Sequence, residues 1–214
     1  LKLKHLIFPL VVFLAATIPA LADTTYTDET TFLAAAGSIV TQNFAGIAPA
    51  GSFVSYGLGG SVTLGSVSYS SDPTSQLFIV DAAYAPSLYG FMGAVASLSA
   101  QQGTFNIASS NISGGAEAIG FTYNTINGSG GPVTITLSNG DVFTFADPGS
   151  TGAFFGVITS SAVSSVSLGD AGSSGVDIGR FDYAASVAAP EPASLMLLSA
   201  GLMGIAALRR RVSA

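Results

Sequence analysis

Residues 133–145 restrict this chain more than any other stretch. Val133-Thr-Ile-Thr-Leu137 and Val142-Phe-Thr-Phe145 alternate apolar and polar residues on either side of Ser138-Asn139-Gly140-Asp141. A period of two sends every apolar side chain to one face of a strand. Asn-Gly is the preferred pair for a tight type I′ turn, because both central residues must take positive φ. The spacing predicts a β-hairpin with Val133, Ile135 and Leu137 facing the core across from Phe143 or Phe145, and with the threonines outward.

The same habit runs through the rest of the chain. Residues 39–44 and a segment beginning at Val54 and Tyr56 read as strands. Residues 61–70 alternate Val62, Leu64, Val67 and Tyr69, with a change of register at Gly65 that predicts a bulge. Residues 77–81 form a short apolar run of the kind buried on both faces, bounded by Asp72-Pro73 and by Asp81. Residues 82–100 fit no clean period and read as a loop crossing the sheet with one short strand. Strands at 103–107, 118–123, 154–159, 163–168 and 176–183 bring the total to about ten, separated by Gly and Ser turns, the pattern of an all-β sandwich; a jelly roll is the first choice. The exception is a short N-terminal helix capped by Asp28 and stopped by Gly37, with Phe32 and Leu33 on its buried side.

The two ends have a different character. Lys2, Lys4 and His5 precede an apolar stretch, and Ala20-Leu21-Ala22 supplies an A-x-A site. That is the layout of a secretory signal peptide over residues 1–22, cut by signal peptidase to leave Asp23 first. At the other end Pro190-Glu191-Pro192 is followed by 16 uncharged residues, 193–208, and then by Arg209, Arg210 and Arg211. Pro192 suits the first turn of a helix, and Glu191 lies beside the positive end of its dipole. A helix of that length spans about 24 Å at about 1.5 Å per residue, short of a hydrocarbon core of about 30 Å. The three arginines belong on the cytoplasmic side. Residues 193–208 are therefore expected to be a transmembrane helix that holds the chain in the inner membrane transiently.

Tripeptide, helix and arginine cluster, in that order, resemble the PEP-CTERM sorting signal of Gram-negative bacteria. The resemblance implies processing by an exosortase, a membrane-embedded cysteine transpeptidase that acts at or near the tripeptide. It also implies a destination at the cell surface or in the extracellular matrix, in bacteria that make exopolysaccharide and biofilm. The body is similar to other PEP-CTERM proteins in which a T-x-F-x-x-A helix and G-F-T-Y, F-F-G-V and D-I-G-x-F-D-Y strands recur. Those stretches stand here at 30–35, 120–123, 154–157 and 177–183, and the kinship they imply is with galactose-binding-like jelly rolls.

Composition narrows the chemistry of the body, residues 23–189. It holds eleven of the twelve Asp and Glu but only Arg180 among the basic residues, a formal net charge of −10. A phosphate-binding surface is excluded, and nucleic acid with it. The chain has no cysteine and its one histidine is His5, so the mature protein lacks thiol, imidazole and lysine, the usual nucleophiles and bases at neutral pH.

Three kinds of candidate site remain. A glycosidase needs two carboxylates flanking the bond, and Asp141 with Asp147, or Asp170 with Asp177 or Asp182, are the available pairs. Asp141, Asp147 and Asp170 sit beside Gly or Pro, where Asp is favoured for capping turns. Calcium accepts mixed carboxylate and carbonyl oxygens, and Asp170, Asp177 and Asp182 are the expected ligands of one structural ion. Tyr84 and Tyr89, in the irregular loop, are the expected sugar-stacking rings. Arg180 is expected to pair with Asp177 or Asp182.

The expected organisation is a signal peptide (1–22), one all-β sandwich, jelly-roll-like, with a short N-terminal helix (23–186), and a linker with the sorting signal (187–214). The expected function is that of an exported, non-catalytic surface or matrix protein associated with exopolysaccharide. The alternatives are a glycan-active enzyme using an Asp pair, and a purely structural surface protein.

Overall fold

A computed structural model describes residues 23–84, 97–101, 107–126, 131–170 and 175–184. Twelve strands and one α-helix make up most of this body. The first part contains β1 (Thr24–Tyr26), α1 (Glu29–Ala36), β2 (Val40–Asn43), β3 (Phe53–Leu58), β4 (Ser61–Leu64), β5 (Val67–Ser71) and β6 (Gln76–Val80). Then come β7 (Ser97–Gln101), β8 (Ile107–Thr125), β9 (Val133–Leu137), β10 (Val142–Phe145), β11 (Ala153–Asp170) and β12 (Gly175–Ala184).

All pairings are antiparallel, and two strands are long enough to belong to both layers of a sandwich. The first half of β8 lies between β5 and the second half of β11, and β9 and β10 follow beyond β11. With β4 on β5, the first layer runs β4-β5-β8-β11-β9-β10. The second half of β8 lies between the first half of β11 and β12. The second layer adds β1 outside β11, then β7, β6 and β3 beyond β12, while β2 shares the β12 edge end to end with β7.

The two long strands turn the corner at different kinds of joint. In β8 it is Gly114-Gly115, at φ 84° and 75°, a region that glycine enters without penalty. In β11 the register with β8 breaks between Ile158 and Val163, and the added residues form a bulge that bends the strand. A Cβ on Gly115 would stand 3.1 Å from Ala162 Cβ across this corner.

The alternation in the sequence fills the space between the layers. Val67 and Tyr69 of β5, Val133 and Ile135 of β9, and Val166 and Leu168 of β11 meet Phe121, Phe155 and Phe181 of the second layer in one buried cluster. Aromatic contacts cross the gap, with Tyr69 edge-on to Phe181 at 5.9 Å and Phe143 tilted against Phe155 at 5.1 Å. As expected, Ile135 is paired with Phe143 and Val133 with Phe145, and the short run in β6 is buried on both faces.

Several local expectations change. The hairpin loop has three residues rather than a two-residue type I′ turn: Gly140 N–H donates to Leu137 O, Leu137 pairs with Asp141, and Gly140 takes φ 101°. This is a turn closed by one positive-φ glycine. The register change at Gly65 is a reversal between β4 and β5, not a bulge. The strands expected at 154–159 and 163–168 are one bent strand, and 118–123 is part of a strand that begins at Ile107.

The helix closes part of the second layer's outer face. Asp28 caps it, its Oδ1 accepting from Thr31 N–H at 2.8 Å, and Gly37 ends it at φ 74°. Phe32 is fully buried over Gly120 and Gly156, which face each other across β8 and β11. A Cβ on either glycine would come within 2.6 or 2.7 Å of the Phe32 ring, so both strands omit a side chain where the ring sits.

Candidate functional site

The expected site residues fall into two groups. Ala20, Ala22, Tyr89, Pro190, Glu191, Pro192, Arg209, Arg210 and Arg211 lie outside the described residues, as do the helix expected at 193–208 and the signal peptide expected at 1–22. Tyr84 and the candidate carboxylates lie within them.

The carboxylates are placed apart. Asp170 ends β11 on its inward face and is buried, beyond Val166 and Leu168. Asp177 and Asp182 point from β12 to the outer side of the second layer, because Val176 and Ile178, then Phe181 and Tyr183, point inward on either side of a register shift. Asp182 accepts from the Thr41 hydroxyl at 2.6 Å and from Arg180 Nε at 3.1 Å. Arg180 also reaches Glu29 in the first turn of α1, at 2.5 Å, and so ties the helix to the sheet. Among the described residues, no three side chains of metal-ligating type are grouped.

Of the Asp pairs considered for catalysis, Asp141 and Asp147 are occupied in turns, while Asp170, Asp177 and Asp182 lie in strands. Asp141 Oδ2 accepts from Asn139 Nδ2 at 2.7 Å inside the hairpin loop. Asp147 accepts from Gly149 N–H at 2.8 Å and from the Thr125 hydroxyl. Three carboxyls outside these pairs lie below the ordinary carboxylate range. The Ser160 backbone N–H lowers Asp23, the Thr31 hydroxyl and N–H lower Asp28, and the Gly51 N–H lowers Asp81.

Tyr84 belongs to an aromatic group at the β3 edge of the second layer, the last of the described strands on that side. Its ring stands 5.2 Å from Phe53, which stands 5.5 Å from Phe78, both edge-to-face. Phe78, Val80 and Ile126 are buried beneath, Tyr84 is half-buried, and Phe53 on the terminal strand β3 is 41% exposed.

Sequence reasoning did not single out the outer face of the first layer. Val142, Thr136, Ser167, Ser109, Ser70 and Ser61 stand in register across its six strands. A second rank beside it runs Ser165, Asn111, Ser68 and Thr63. Ser61, Thr63, Asn111, Thr136 and Val142 are exposed and the others half-exposed. Six strands about 4.8 Å apart make the rank about 24 Å wide. Neighbouring hydroxyls pair along it, Thr63 with Ser68 at 2.8 Å and Ser109 with Ser167 at 3.3 Å. No outward position in these described strands is charged; Asp72 and Asp141 sit in turns at the rim. The available signal was that the off-core positions of these strands are almost all Ser, Thr or Asn.

Comparison with known proteins identifies the C-terminus: residues 188–211 match the family model of the PEP-CTERM protein-sorting motif. The motif marks the chain for export and exosortase-mediated sorting to the surface. No curated protein sequence matches the chain. Among solved structures, one mutant of a family 29 carbohydrate-binding module is similar at 12% identity and TM-score 0.38, over 63% of this chain and 92% of its own. A second mutant of that module gives 12% and 0.28, over 69% and 86%. A glycoside hydrolase family 43 arabinoxylan arabinofuranohydrolase from Bacillus subtilis gives 15% and 0.28, over 42% and 21%.

Proposed function

We propose that this chain is an exported protein of the cell surface or extracellular matrix whose β-sandwich associates with exopolysaccharide without catalysis. Signal peptidase releases it after Ala22, residues 193–208 hold it briefly in the inner membrane, and an exosortase processes it at Pro190-Glu191-Pro192. The observation that carries the glycan part is the aromatic group at the β3 edge. An exposed Phe53 ring, held edge-on by Phe78 and Tyr84, offers a rigid apolar face to the C–H side of a sugar ring, at little entropic cost because its neighbours fix it.

The test is co-sedimentation of the full-length chain, in mild detergent, with exopolysaccharide from the producing cells, with and without added calcium. Saturable binding that Phe53→Ala weakens several-fold is expected. Absence of binding in both conditions overturns the reading. Binding only with calcium would add an ion to the site.

A further inference from the structure

We propose that the outer face of the first layer is a second binding surface, specific for uncharged polysaccharide chains packed side by side. This rests on the exopolysaccharide reading above and adds to it the site and the class of glycan.

The face is unusually short in its side chains. Any sheet packed on one side needs polar residues outward, but that requirement is met equally well by Lys, Glu or Gln. Here the outward residues of the two ranks are Ser, Thr and Asn with one Val. Short side chains let a flat ligand approach the sheet along its whole width, and they lose little rotamer freedom when covered. A hydroxyl both donates and accepts, so a rank of them matches a rank of sugar hydroxyls without a fixed polarity pattern. Each bond adds little by itself; ranks repeating about every 4.8 Å across strands and about 6.8 Å along them act together on an extended array, where each contact raises the effective concentration for the next.

Charge selects the kind of glycan. The body carries −10, yet none of it stands at an outward position of the described strands of this face. A polymer bearing uronate or sulfate is repelled by the surrounding field, while a neutral one meets a neutral surface. The same argument disfavours a second copy of this chain. Two such bodies repel each other, and Val142 is the only large apolar side chain among the two ranks, too little apolar area to drive association.

The experiment separates the neutral and acidic fractions of the producing cells' insoluble polysaccharide and measures co-sedimentation of the full-length chain with each. Ser167→Lys at the centre of the face and Thr136→Lys nearer its edge place a long charged chain in the contact. At least tenfold weaker binding to the neutral fraction is expected for both, with urea midpoints unchanged. Three results overturn the proposal: undiminished binding in both folded variants, binding of the wild-type chain to the acidic fraction alone, or concentration-dependent dimers by light scattering that the variants abolish. If the variants bind normally while Phe53→Ala does not, the glycan reading survives with the β3 edge as its site; if the wild-type chain binds neither fraction, both readings fail.

Discussion

The outer faces of the two layers are built on the same long strands, β8 and β11, and have opposite fates. On the second layer Gly120 and Gly156 leave a slot, Phe32 fills it, Ala118 and Ala184 pack around it, and Arg180 ties the helix to Asp182. On the first layer the same strands carry Ser109, Asn111, Ser165 and Ser167 into solvent. The reversal happens at the corner, Gly114-Gly115 in β8 and the bulge in β11. A face that must be covered for the protein to fold is apolar and notched. A face that folding leaves bare can be shaped by something outside the chain.

The strongest break in this comparison is Phe32→Ala. The ring has no exposed surface and its removal leaves a cavity floored by two glycines that cannot fill it, so a loss of about 3–5 kcal/mol is expected. Urea unfolding monitored by circular dichroism would show it. A loss below about 1 kcal/mol would mean that the helix is an accessory rather than part of the second layer.

How much of this could be read from the sequence depends on the range of the interaction concerned. The helix was legible because its signals are local: Asp28 at the cap, Gly37 at the end. So was the pairing of β9 with β10, fixed by period-two alternation. The hairpin loop was misjudged because Ser138 is recruited elsewhere; its Oγ accepts from Ser164 and Ser165 N–H, at 2.8 and 3.2 Å, and its N–H donates to Ser165 O. That contact is with the β11 bulge, 26 residues away. The long strands read as pieces because Gly-Gly and Ser-Ser resemble turn punctuation, whereas here they bend strands without ending them. Gly120 and Gly156 were visible as strand-interior glycines, which mark close approach, but only the register shows that they face each other. The hydroxyl ranks were hidden for the same reason. Each strand shows merely polar residues outward, and their alignment across six strands exists only once the sheet is formed.

Acid sharpens the comparison at smaller amplitude. Asp28 holds the helix start and its carboxyl lies below the ordinary range because Thr31 donates to it. A carboxylate lowered in the folded state stabilises above its unfolded pKa, and this contribution fades as pH falls through the lowered folded value. Asp28→Ser keeps a good cap without a titrating group. It should match the wild-type melting temperature near neutrality and lose less of it between about pH 4 and about pH 2. Parallel losses in the two proteins would remove Asp28 from the acid response and leave it to Asp23 and Asp81, whose carboxyls are also lowered.

The smallest effect on folding is expected where the proposed ligand acts. Ser109 and Ser167 share a long 3.3 Å hydroxyl contact on a half-exposed surface, and water can replace either partner. Replacing both with Ala should change stability by no more than about 0.5 kcal/mol, as at other surface positions. A near-silent double variant means that the fold does not require hydroxyls at these two positions, which leaves them free to serve contacts outside the chain. A loss above about 1 kcal/mol would instead make the ranks part of what holds β8 to β11, and the bare face would then be explained by folding alone.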